Sequence, residues 1–150
     1  MTFFTHTISA GIVAYLATSS SQAPNLIWWC LIPPALLDLD HLYYILKDRK
    51  KFKKPVGTLH EARSPLHEVA GIAVVGIISL IISSFNPAYA VAFGVSVGVH
   101  ILQDILMGIS RPYYPYSKEL IRFFTLSFKQ KVIIEVIIFT LSLVLWKIYL

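Results

Sequence analysis

Five apolar runs, residues 3–18, 26–46, 65–83, 87–109 and 132–150, are separated by short polar or strongly basic stretches. A helix of about 20 apolar residues crosses the hydrocarbon core of a bilayer, and these runs are close to that length. Composition agrees. Hydrophobic residues make up 56% of the 150 and charged ones 14%, against roughly 45–50% and about 25% in soluble domains. Mean hydropathy is +0.67. The sequence therefore predicts an all-α integral membrane helical bundle of about five transmembrane helices, formed by residues 1–150 as a single transmembrane domain. The run 3–18 lacks a basic leader and carries His6 near its start, so it reads as a retained helix rather than a signal peptide.

The second run carries Pro33 and Pro34. Proline removes a backbone donor and clashes with the preceding turn, so a helix broken at Pro33-Pro34 is expected. Just beyond them lies Leu37-Asp38-Leu39-Asp40-His41, three ionisable groups within four positions of an otherwise apolar run. Such groups are costly at membrane depth unless they pair, reach water or bind a cation. Ser64-Pro65 is a helix start, with Ser as cap and Pro as first helical residue, and it brings His67 and Glu68 into a first turn. Asn86-Pro87 turns the chain into the fourth run, rich in small residues and carrying His100 and Asp104. The segment 110–131 is basic and tyrosine-rich, and suggests an interfacial helix over 117–128.

Five spans place the N-terminus and the segments 47–63 and 110–131 on one side. All of the 13 Lys and Arg residues except Lys147 lie on that side. The positive-inside bias makes it the cytoplasm and puts the C-terminus outside, in a multi-pass cell-membrane protein. The same zigzag brings all five histidines and Asp38, Asp40 and Asp104 to a similar depth. A net charge of +5 then reflects cytoplasmic loops facing lipid headgroups, not nucleic-acid binding. The single Cys30 excludes an internal disulfide and reads as an apolar filler.

Residues three or four apart on a helix share a face, so His100 and Asp104, four apart, project together, as do Asp38 and His41, three apart. Asp40 turns away from Asp38 by about 200°. At the third position of its helix, His67 faces the positive end of the macrodipole. That favours the neutral ring required for metal binding. Asp38, His41, His67, His100 and Asp104 form the expected ligand set, with His6 as a further ligand or a hydrogen-bond partner. Mixed imidazole and carboxylate donors suit zinc first, with manganese or iron as alternatives, in one or two ions. Asp40 or Glu68 would serve as general base on an activated water. Arg63 would hold a phosphate or carboxylate bidentately. Plainer roles exist: a structural His100–Asp104 hydrogen bond, an Asp40 that caps or snorkels, a mobile loop for His60, and an interface position for Glu135. Tyr113, Tyr114 and Tyr116 read as an interfacial belt.

Thr5-His6, the Asp38-Leu39-Asp40-His41 block, Arg63-Ser64-Pro65-Leu66-His67 and His100-x-x-x-Asp104 together resemble the small membrane-bound metal-dependent hydrolases of bacteria and archaea, the YdjM-like inner-membrane group. The resemblance covers residues 5 to about 115. It implies a metal role for Asp38, Asp40 and His41 and carries over Arg63 and His67. Ala62 stands where that family often has a histidine, and Leu66 and Glu68 replace its Thr and Ser. The expected function is hydrolysis of an ester or phosphoester of a lipid or amphiphile at the cytoplasmic leaflet, by metal-activated water. Two alternatives use the same residues: a proton- or ion-coupled transporter, and a non-catalytic scaffold with a structural metal. The outer halves of spans one, three, four and five are apolar, which disfavours a path across the membrane.

Overall fold

The computed structural model describes residues 3–18, 25–47, 64–114, 116–117 and 119–149, with the side chains of 3, 4 and 40–47 excepted. The elements are α1 (Phe3–Ala17), α2 (Leu26–Lys47), a 3₁₀ turn (Pro65–His67), α3 (Val69–Ser83), α4 (Pro87–Met107) and α5 (Phe128–Tyr149). Among the described residues there is no β-strand, only an isolated antiparallel bridge between Ser110 and Ile121.

α4 is the hub, packing against α1, α2, α3 and the 3₁₀ turn. Its start follows from Asn86, whose side chain accepts from the amides of Ala88 and Tyr89 at 2.9 and 3.4 Å. Two adjacent rows on α4 face inward. Val97, Ile101 and Ile105 pack with Val75 of α3 in an apolar cluster, while Ser96, His100 and Asp104 form a buried polar row. The 3.6-residue period keeps the rows side by side, so the apolar row fixes the helix rotation that points the polar row at its neighbours. α5 is largely exposed and packs on α1.

Apolar side chains also cover the outside: Leu80, Ile81, Val136 and Ile148 are all exposed. α4 and α5 are each long and apolar enough to cross a membrane, and Leu26–Leu39 and Val69–Ser83 are shorter apolar helical stretches. The helical bundle is thus present, and among the described residues two of its helices are long and apolar enough to cross a membrane.

Three local expectations are corrected. α2 is not broken at Pro33-Pro34 but runs as one helix from Leu26 to Lys47 with both prolines inside it. The prolines withhold only the two donors that would reach the carbonyls of Trp29 and Cys30, and packing on α1 and α4 holds the helix on either side. α1 comes close to the second of these carbonyls at Gly11, where a Cβ would lie 3.3 Å from the Cys30 oxygen and 2.5 Å from Leu31 Cδ2. Second, Ser64-Pro65 opens a single 3₁₀ turn, and the chain extends at Glu68 (φ −117°, ψ −177°) before α3 begins at Val69. Third, the interfacial helix expected over 117–128 is absent among the described residues, since 117 and 119–127 are not helical. The bridge pins this segment through Ser110 N to Ile121 O at 2.9 Å and Ile121 N to Ser110 O at 2.8 Å.

Candidate metal centre

Four side chains from three elements meet. Asp38 comes from α2, His67 from the 3₁₀ turn, and His100 and Asp104 from the polar row of α4. One donor atom from each lies within 4.8 Å of every other. His100 Nε2 is 3.2 Å from Asp38 Oδ1, and His67 Nε2 is 3.7 Å from both Asp38 Oδ1 and Asp104 Oδ2. His100 Nε2 to Asp104 Oδ2 is 3.9 Å. Donors at about 2.0–2.1 Å around a tetrahedral ion stand about 3.3 Å apart, so the observed edges already approach those of a ligand shell.

Burial makes the arrangement demanding. His67 and His100 are fully buried and Asp104 nearly so. Neither ring nitrogen of His100 has a hydrogen-bond partner among the described residues, and Nδ1 of His6 also lacks one. A buried polar atom left unsatisfied costs about 1–3 kcal/mol. Imidazole nitrogens gathered beside two carboxylates regain that loss on binding a cation, so the donor set can hold a metal ion.

His6 stands at the edge of the group. Its ring centroid is 5.2 Å from that of His100, and its Nε2 is 3.9 Å from Asp104 Oδ1. Asp104 therefore turns one oxygen toward His67 and His100 and the other toward His6. Gln103 and Ser9 tie α1 to α4 one residue from Asp104, with Gln103 Nε2 donating to Ser9 Oγ at 2.9 Å. Thr5 Oγ1 donates to Glu135 Oε1 at 3.2 Å, joining α1 to α5.

His67 does not stand on a helix N-terminus; the turn that carries it is three residues long. What orients its ring is local. Ser64 Oγ accepts from Leu66 N at 3.2 Å and lies 3.5 Å from His67 Nδ1, leaving Nε2 turned to the carboxylates. A partner on the second ring nitrogen commonly fixes a ligating histidine.

The carboxylate of Glu68, expected as a general base, is engaged elsewhere. Ser110 Oγ donates to Oε2 and Arg111 N donates to Oε1 at 2.8 Å. Glu68 thus clips the segment after α4 onto the turn that carries His67. Glu68→Ala strands a hydroxyl and an amide and should cost about 1–3 kcal/mol, read as a lower Tm of the detergent-solubilised protein. Unchanged stability with lost activity would instead place Glu68 in the chemistry. Ser64 was expected only as a cap and not as a partner of His67, and Ser110 and Gln103 were not expected at all, because serine and glutamine show no periodicity that marks a partner. Asp40, His41, Arg63 and His60 lie outside the side chains described, so the structure neither adds them to the group nor separates them from it.

An exposed apolar helical bundle holding a histidine–aspartate centre defines a class of membrane protein with a possible metal site. The family model described as YdjM inner membrane protein matches residues 1–149, and the chain belongs to that family. No curated protein and no solved structure matches it.

Proposed function

We infer that the protein is a metal-dependent hydrolase of the inner membrane, acting on an ester or phosphoester of a lipid or amphiphile. The observation that carries this reading is the convergence of Asp38, His67, His100 and Asp104, with donors within 4.8 Å of one another, in a membrane family. Asp38, His67, His100 and Asp104 would hold the ion, His41 is proposed as a further ligand from its spacing to Asp38 in the sequence, and zinc is the first candidate given the mixed nitrogen and oxygen donors. Bound there, a divalent cation supplies Lewis acidity and a more acidic water. His6 and Asp104, with Nε2 and Oδ1 3.9 Å apart, would be the residues available to a second ion.

Asp40 is our choice of proton acceptor, since Glu68 has both carboxylate oxygens engaged. Arg63, next to the Ser64 cap, would hold the anionic group of the substrate. The basic segments 47–63 and 110–131 carry 12 of the 13 cationic residues and favour a cytoplasmic face rich in anionic headgroups. That orientation has the N-terminus inside and the C-terminus outside.

The test is product release from a panel of phospholipids, lysolipids and aryl phosphoesters by purified protein supplied with zinc or manganese. Turnover should fall by about a hundredfold or more in Asp38→Ala. A wild-type protein that holds metal and cleaves nothing in the panel would overturn the enzymatic reading in favour of a structural metal.

A further inference from the structure

α2 and α3 both lie on α4 with little direct contact between them. The result is an apolar cleft of about 620 Å³, with α2 and α3 as walls and Phe93 and Val97 of α4 as floor. Ligand sites typically occupy roughly 300–1,000 Å³. Among the described residues, no charged side chain lines this one. One end closes on the metal centre: Leu37 precedes Asp38, Leu66 precedes His67, and Val97 lies one turn before His100. The other end reaches Trp28, half exposed, and Trp29, which stacks on Tyr89 with ring centroids 5.0 Å apart.

The geometry points to this cleft as the seat of one hydrocarbon chain of a membrane amphiphile, entered sideways from the bilayer between α2 and α3, with the ester or phosphoester head at Asp38 and His67. The head-group assignment rests on the hydrolase reading above; the chain site does not. Length supports the occupant. From Leu37 to Trp28 the cleft follows nine residues of α2, about 14 Å at 1.5 Å per residue. One leaflet is half of a hydrocarbon core of about 30 Å, so the cleft matches a single lipid chain. Lipid tails are as apolar as leucine, and the cleft walls alone give no preference for one lipid over another. Selection therefore falls to the head, which is where the polar end of the cleft lies.

The experiment uses full-length protein in phosphatidylcholine nanodiscs containing phosphatidylglycerol with a diazirine in one acyl chain. After photolysis, adducts are mapped by peptide mass spectrometry and metal content is measured on the same samples. Adducts should concentrate on Ile32, Leu36 and Ile78, which line the cleft, over Val136 and Ile137 on the exposed surface of α5. Ile78→Trp fills the cleft and should cut its labelling by roughly tenfold, since a packed indole leaves no room for a chain. Ile77→Trp, on the outer face of α3, should leave it unchanged. Val74→Trp serves if Ile78→Trp does not fold. Equal labelling of cleft and α5 overturns the proposal. Enriched labelling of a folded, metal-free protein would keep the chain site and remove the hydrolase reading. Metal without enrichment would do the reverse.

Discussion

Asp38→Ala and His100→Ala should each strip the protein of a metal that the wild type carries at near-stoichiometric level after purification in detergent. The two residues come from different helices, and their donor atoms are 3.2 Å apart. A shared ion predicts the same loss from either side, whereas a structural contact predicts only a change in stability. Structural zinc bound by four protein ligands is worth about 10–16 kcal/mol. Loss of one ligand in four then removes about 3 kcal/mol, or roughly a hundredfold in affinity. His6→Ala should weaken binding less, because His6 lies outside the group of four. Ser142→Ala, buried on α5, should leave the metal in place. Elemental analysis of the purified variants decides the matter. A folded, metal-free wild type would remove the metal centre from the account and bring the transporter reading forward.

Gly71→Ala should be the most damaging of the Gly→Ala changes at Gly11, Gly71, Gly76, Gly94 and Gly98. A Cβ at Gly71 would overlap the backbone oxygen of Leu66 and come within 3.0 Å of its Cα. The obstacle is backbone, which cannot swing aside as a side-chain end can. The affected backbone is the turn that carries His67, and Gly71 N donates to Glu68 O at 2.9 Å across the same junction. Overpacking of this kind costs about 1–3 kcal/mol. Because the turn must shift as a unit, His67 Nε2 moves with it, so metal affinity and Tm should fall together. Gly76→Ala is the control, since a Cβ there meets nothing within 4 Å and alanine favours the helix. A Gly71→Ala protein with wild-type Tm and metal content would show that the junction between turn and helix yields.

Much of the site was legible in the sequence because helical spacing is a local rule. His100 and Asp104, four apart, share the inward polar row of α4. Asp38 announced itself as an acid in an apolar run. His67 was identified for the wrong local reason, since its ring is held by Ser64 in a 3₁₀ turn and not by a helix dipole. The role of Glu68 could not be read. Its partners, Ser110 and Arg111, lie more than forty positions away, and no spacing rule links residues across two helices. The prolines misled for a related reason. Local propensity counts the lost donors of Pro33 and Pro34, while the packing of α2 on two neighbouring helices holds its axis together.

By itself the sequence determined the medium, the helical class and the residue types of the centre. Hydrophobicity, period and ionisable groups in apolar surroundings are properties of short stretches of chain. Which histidines meet, which oxygen of Asp104 faces which ring, and where a cleft remains between α2 and α3 were decided only by the tertiary structure. Those outcomes depend on how α4 rotates to bury Val97, Ile101 and Ile105 against Val75, a balance of packing among helices distant in sequence.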